Sequence, residues 1–362
     1  MPVPAQQAAA IGWYIARQKL RRREEFALML FLESLYQCNL ECVGCGKIQH
    51  PDHILRRRMT VEQALAAADE CGAPVVNIAG GEPLIHKEIH EIAAGLVERK
   101  RFVYFCSNAL LMERRIGDFE PSKYLTFNVH VDALRDRHDE LVARSGTFDK
   151  AIAAIKQYKE AGFRVCTNTT IFLGTSAADV RDLFDYLTAV GVDAMTVSPG
   201  YAYEKAPDQE HFLKREQTRE LFRQILTDSR QRGWPLGNSQ TYLNFLQGQH
   251  DFQCTPWGGP TYTVFGWQKP CYLMSDGYAP TFQELLDDTP WEQYGHGNDP
   301  RCGQCMVHSG YEPTAVLASA KSLTLGLREL RSSVLPAHAR ASRAHADPLL
   351  PPVSSGRRRG GD

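Results

Sequence analysis

No window of this 362-residue chain holds the roughly twenty uninterrupted apolar residues that a bilayer-spanning helix needs, so a membrane span is not expected. Residues 1–25 carry charge and lack the long apolar stretch of a secretory leader, which points to a cytoplasmic protein. Charge of one sign is not in excess either. With 41 basic and 42 acidic residues, composition gives no general reason to expect nucleic acid as a partner. A disulfide framework is likewise not expected, because the ten cysteines are scattered through a chain far longer than the small secreted domains that depend on bridges.

Three of those cysteines are not scattered. Cys38, Cys42 and Cys45 form a C-x3-C-x2-C run, QCNLECVGC, directly after the apolar stretch Phe26 to Tyr36. Three thiolates are one short of what a closed tetrahedral zinc or iron–sulfur site takes from protein. A cubane held this way keeps one iron open, so the run reads as reactive rather than structural. With His50 the three could instead hold zinc, but zinc ligands usually come as two separated pairs.

Apolar, β-branched and aromatic runs predict strands at Phe26 to Tyr36, Ala73 to Ala79, Phe102 to Cys106, Tyr124 to Val131, Phe163 to Phe172 and Ala194 to Ser198. Helical spacing fills Thr60 to Cys71, Lys87 to Arg99, Thr147 to Ala161 and Ser176 to Val190. Thr60 with Gln63 makes a capping box, and Gly72 and Gly162 sit where helix C-caps belong. The alternation predicts an α/β fold, a partial (β/α)6 TIM-like barrel with a loop-rich C-terminal extension. Chemistry in such barrels gathers at the C-terminal strand ends. That rule brings together the cysteine run, Gly80-Gly81-Glu82-Pro83, Cys106-Ser107-Asn108 and His130-Val131-Asp132 at one mouth.

A C-x3-C-x2-C run after strand 1 and GGEP after strand 2 resemble the radical S-adenosylmethionine (SAM) superfamily. The resemblance continues through Ser107-Asn108-Ala109 and the stretch from His138-Asp139 to Ser145-Gly146-Thr147-Phe148-Asp149. It implies a [4Fe–4S] cluster on Cys38, Cys42 and Cys45, with SAM on the open iron. Glu82 is then expected to accept from the SAM amino group, and Arg144 to meet its carboxylate. Gly80, Gly81, Pro83, Ser107, Asn108, His130 and Asp132 are the other expected cofactor contacts, the two glycines by letting backbone come close to a ligand. One departure stands out: the residue before the third cysteine, usually aromatic in the superfamily, is Gly44.

Longer segments, CVGCGKIQHP, NIAGGEPLIH, SPGYAYEKAP, CTPWGGPTYTVFGWQKPCYLM and CGQCMVHSGYEPTAV, look like the adenosylhopane synthase family of bacterial hopanoid biosynthesis. That resemblance implies addition of the 5′-deoxyadenosyl radical to diploptene, a triterpene (hopene) substrate, with an electron donor such as flavodoxin or ferredoxin. The carbon radical left by the addition must be quenched. Cys106, at the end of strand 3, is the expected hydrogen donor; the plain alternative is a small buried side chain. Two rival readings are a hydrogen-abstracting radical SAM enzyme of the peptide-modifying type and a zinc-binding interaction protein.

The chain divides by pattern into an N-terminal helix (1–25), the barrel (26–204), a cysteine-containing cap (205–331) and a tail (332–362) too rich in Pro, Ala, Ser and Arg to order itself. One further helix is expected across Lys214 to Arg232. In the cap, Cys254, Cys271, Cys302 and Cys305 could carry a second metal or cluster. Tyr201, Tyr203, Trp257, Tyr262, Phe265, Trp267 and Tyr272 are candidates to line an apolar substrate tunnel. The N-terminal helix, with Trp13, Tyr14 and a basic end at Arg21, Arg22 and Arg23, either plugs the barrel or lies peripherally on the inner face of a membrane.

Overall fold

The computed structural model describes residues 3–202 and 204–322; Tyr203 and the tail from residue 332 lie outside the described residues. Six parallel strands, β1 (Met29–Glu33), β2 (Val75–Ala79), β3 (Phe102–Ser107), β4 (Leu125–His130), β5 (Arg164–Ile171) and β6 (Ala194–Pro199), run side by side in chain order. Helices α2 (Val61–Cys71), α3 (Ile89–Glu98), α4 (Thr147–Glu160) and α5 (Ala177–Val190) supply crossovers. The first helix, α1 (Ala5–Leu20), precedes the sheet. The expected partial (β/α)6 barrel is therefore borne out, with four strands trimmed at their ends and β3 and β6 each one residue longer than expected.

Local chemistry explains where the helices begin and end. Thr60 and Gln63 exchange both bonds of a capping box at the start of α2, and Ser176 with Asp179 does the same for α5. Gly72 and Gly191, both left-handed, end those helices. Between the sheet and α4, Phe127 packs edge-on against Tyr158 and Phe163, and the Tyr158 hydroxyl donates to the Met112 carbonyl at 2.9 Å. The outward face of β3 and β4 is thus locked, leaving the alternate residues to face the lumen.

The region after residue 204 differs from the expected loop-rich cap. Short strands β7 (Thr261–Thr263), β8 (Gly266–Lys269) and β9 (Gly277–Ala279) extend the same sheet beyond β1, giving the order β6-β5-β4-β3-β2-β1-β7-β8-β9. β7 is parallel to β1, whereas β8 and β9 are antiparallel additions. Trp267, fully buried in β8, donates to Glu70 of α2 at 3.0 Å, so it is core and not tunnel wall. The helix expected over Lys214 to Arg232 splits into α6 (Arg215–Leu226) and a short turn, Ser229–Arg232, at Asp228, whose φ is 57°. Helices α7 (Gln240–Leu246) and α8 (His308–Lys321) pack on each other.

α1 packs against the N-terminal ends of the strands. Gln7 Nε2 donates to the Tyr104 hydroxyl at 3.0 Å, and Ile15 joins Phe26, Leu28 and Leu317 in a small apolar cluster.

Candidate active site

The cysteine loop is fixed to the second strand by backbone alone. After β1 the chain runs through Leu35, Tyr36 and Gln37, and the GGEP segment closes onto it: Gly81 N–H donates to the Leu35 carbonyl at 2.8 Å and Glu82 N–H to the Gln37 carbonyl at 2.9 Å. A Cβ on Gly80 would lie 2.2 Å from the Leu35 oxygen and one on Gly81 2.1 Å from the Gln37 oxygen. The two glycines make way for another stretch of this chain. Pro83 starts the short turn that follows and is buried.

Glu82 is buried and organises the strand ends around it. Its carboxylate accepts from Ser107 Oγ at 2.9 Å, Asn108 N–H at 2.8 Å and Leu84 N–H at 3.1 Å. Burial pushes its carboxyl up to about 7, against the pull of those three donors. Asn108 then reaches the cysteine loop, donating to Asn39 Oδ1 at 2.7 Å and toward Cys38 Sγ at 3.8 Å. Arg144 approaches from the other side, its Nη1 donating to the Asn39 carbonyl at 3.2 Å.

Cys38, Cys42 and Cys45 share this loop, all half-buried. Cys45 N–H donates to the Cys42 carbonyl at 3.1 Å, and Val43 N–H to the Leu141 carbonyl at 2.8 Å, tying the loop to the helical turn Arg135–Leu141. Burial pushes the Cys38 thiol up to about 11 and Cys42 higher still. Gly44, between them, has φ +74°, and a Cβ there would meet the Phe212 ring at 2.9 Å. An aromatic ring thus stands beside position 44 although the loop itself carries none.

At the end of β4, His130 Nε2 pairs with the Asp132 carboxylate. Burial opposes charge on His130, but Asp132 outweighs it and holds the imidazole above its ordinary value. Asp132 also accepts from Thr170 N–H at 2.7 Å, while its own N–H donates to His138 Nδ1 at 3.2 Å. Burial and the neighbouring His130 push His138 down to about 4, so it is neutral at pH 7. The site therefore holds one imidazole biased toward its charged form by Asp132 and one neutral imidazole.

Cys106 sits inside the barrel between two asparagines that no motif marks. Its Sγ donates to Asn77 Oδ1 of β2 at 3.0 Å, and Asn128 Nδ2 of β4 donates to the sulfur at 3.6 Å. Burial pushes this thiol up to about 11. Asn128 Oδ1 and His138 Nε2 are buried and take no partner from the chain, which fits polar atoms kept for a bound molecule. Asparagine in strand interiors is disfavoured by propensity, and that was the available signal for Asn77 and Asn128. The structure brings the predicted residues of four strand ends together at one mouth; of the tunnel candidates, Tyr262 packs edge-on against Trp267, and Tyr201 and Tyr272 line a separate cavity.

Three soft thiolates on one loop suit an iron–sulfur cluster, and buried amide donors beside the sulfurs suit it further. The family comparison agrees. Residues 32–187 match the radical SAM superfamily, whose cofactors are a [4Fe–4S] cluster and SAM. Residues 195–328 match a domain of unknown function, DUF3463. GTP 3′,8-cyclase of Clostridium perfringens is 26% identical over 155 residues, covering 41% of this chain and 48% of that protein. Fe-coproporphyrin III synthase of Methanosarcina barkeri is 28% identical over 155 residues, covering 42% of this chain and 38% of that protein. The chain thus spans about half or less of the length of these curated relatives. Streptococcus suis SuiB shares the fold at TM-score 0.62 with 19% identity, over 85% of this chain and 77% of that one. anSMEcpe with bound AdoMet does so at TM-score 0.54 with 14% identity, over 85% of this chain and all of that one.

Proposed function

We propose that this enzyme transfers the 5′-deoxyadenosyl group of SAM to the alkene of a hopene such as diploptene, forming a carbon–carbon bond and giving adenosylhopane. The observation that carries the reading is a neutral thiol, Cys106, held inside the barrel beside the strand ends where SAM is expected. Cys38, Cys42 and Cys45 hold the cluster in this reading. When bound, it supplies the electron that divides SAM into methionine and a 5′-deoxyadenosyl radical.

The chain's own residues position and quench. Glu82, Ser107 and Asn108 shape the amino-group side, with a carboxylate lone pair left to accept an ammonium hydrogen. Arg144 meets the carboxylate, His130 and Asp132 line the opposite wall, and Phe212 offers its ring where Gly44 has none. Addition to the alkene leaves a carbon radical. Cys106 S–H breaks, the new C–H forms, and the thiyl left behind takes one electron and one proton to become a thiol again. With the electron that divides SAM, each turnover consumes two electrons and one proton, delivered by a donor such as a flavodoxin or ferredoxin.

The hydrocarbon substrate resides in membranes, and the outer face of α1 supports contact there. Trp13 and Leu20 are 70% and 80% exposed, and Arg17, Arg21, Arg22 and Arg23 are exposed beside them. An anionic leaflet complements such a face.

Anaerobic incubation of reconstituted protein with SAM, a reductant and diploptene tests the reaction by mass spectrometry. A nucleoside–lipid adduct is expected. Stoichiometric free 5′-deoxyadenosine without adduct would replace this reading with hydrogen abstraction from another substrate, such as a peptide.

A further inference from the structure

Cys254, Cys271, Cys302 and Cys305 are separated by up to fifty-one positions in the chain, yet all four line one cavity of about 550 Å³, counting its open mouth. Cys254 precedes the turn Pro256–Gly258, Cys271 follows β8, and the C-x2-C pair Cys302 and Cys305 lies just ahead of α8. None is in a disulfide. Cys305 N–H donates to the Cys302 carbonyl at 3.1 Å, repeating the bond and length that join Cys45 to Cys42. Glycine keeps the space clear, since a Cβ on Gly310 would lie 2.9 Å from Cys254 Sγ.

Two cations, buried Arg215 and half-buried Lys47, flank these cysteines. Arg215 Nη1 donates to the Cys305 carbonyl at 3.2 Å while its Nη2 pairs with Asp251 at 3.2 Å. Lys47, two residues past Cys45, donates to the Tyr272 carbonyl at 2.9 Å, next to Cys271, and pairs with buried Glu33 at 2.7 Å.

We infer that Cys254, Cys271, Cys302 and Cys305 ligate a second iron–sulfur cluster, a [4Fe–4S] centre fully ligated by the chain. A single zinc, with Zn–S near 2.3 Å, requires its sulfurs within about 4 Å of one another. Four thiols lining one cavity offer the full ligand set of a cubane, and soft sulfur suits iron–sulfur. Complete ligation leaves no iron for SAM, so this centre differs in kind from the one at the barrel mouth. It also clamps the β8 turn to the start of α8, and Lys47 links it to the Cys45 loop.

The full chain carrying Cys38→Ala, Cys42→Ala and Cys45→Ala together tests this, reconstituted anaerobically with iron and sulfide. The expected result is about four irons and about four sulfides per chain, half the wild-type content, with a reduced-state EPR signal that SAM does not alter. Adding Cys302→Ser and Cys305→Ser removes that iron. An iron-free triple variant with native circular dichroism, or one zinc per chain in place of iron, overturns the inference. Because the readout is metal content, it stands apart from whether the substrate is a hopene.

Discussion

Replacing Cys106 separates its two readings. Cys106→Ala leaves the cofactor-facing residues in place, so SAM cleavage should persist while adduct formation falls by roughly a hundredfold, the lower range for a lost transfer group, with mixed stereochemistry in what remains. Cys106→Ser should behave the same way, because the O–H bond is too strong to give up a hydrogen atom at that step. Chiral analysis of the adduct checks both; unchanged yield and configuration would return Cys106 to a packing role. Glu82 makes a prediction of another kind. Its carboxyl is raised to about 7 by burial, above the ordinary 4.5, so the fold prefers the protonated form. The stability it contributes is present below pH 4.5 and is lost as pH climbs through 7, a change of about 3 kcal/mol. Thermal midpoints of the SAM-free protein should therefore fall between pH 5 and 8, and Glu82→Gln, though less stable overall, should lack that slope. Parallel profiles for the two proteins would show that Glu82 is ionised in the fold throughout.

The barrel strands and crossover helices could be read from the chain because each is an apolar or periodic run, one of them also marked by the capping box of Thr60 with Gln63. Strands β7, β8 and β9 could not: at three or four residues apiece, among Gly, Pro and aromatics, they show no period. Helix α8 was hidden by Pro313 within it. The site was readable wherever it lay on a contiguous motif, and unreadable at Asn77 and Asn128, which separate strands bring to one sulfur. The GGEP glycines show the same limit, since their partner is backbone forty-odd residues upstream. Gly81→Ala would force its Cβ onto the Gln37 carbonyl, with backbone on both sides unable to yield. We expect a loss of about 1–3 kcal/mol and weakened iron retention at the three-cysteine loop. Gly72→Ala, left-handed but facing open space, should cost about 1–2 kcal/mol and leave iron content unchanged. Equal iron retention in the two variants would mean that the GGEP contact does not position the loop.

On the scale of the whole molecule, α1 packs on the barrel with one face and leaves the other for the lipid contact proposed above. Its inner face closes the barrel through Gln7 on Tyr104 and Ile15 on Phe26 and Leu28. Deleting residues 1–23 would therefore uncover core and confuse a membrane experiment with unfolding. The outer face can be changed alone, because Trp13 and Leu20 project into solvent seven residues apart on one helix. Trp13→Ser with Leu20→Ser should leave the thermal midpoint within about 1 kcal/mol of wild type, as exposed substitutions do. In flotation assays wild type should bind vesicles containing phosphatidylglycerol and be released by salt, since each basic residue near an anionic surface contributes about 1 kcal/mol. The double variant should bind several-fold less, and Arg21→Glu with Arg22→Glu should abolish the salt-sensitive part. Wild type that floats equally on neutral and anionic vesicles, or on neither, would remove the lipid surface as the occupant of this face and leave delivery of the alkene to another part of the molecule.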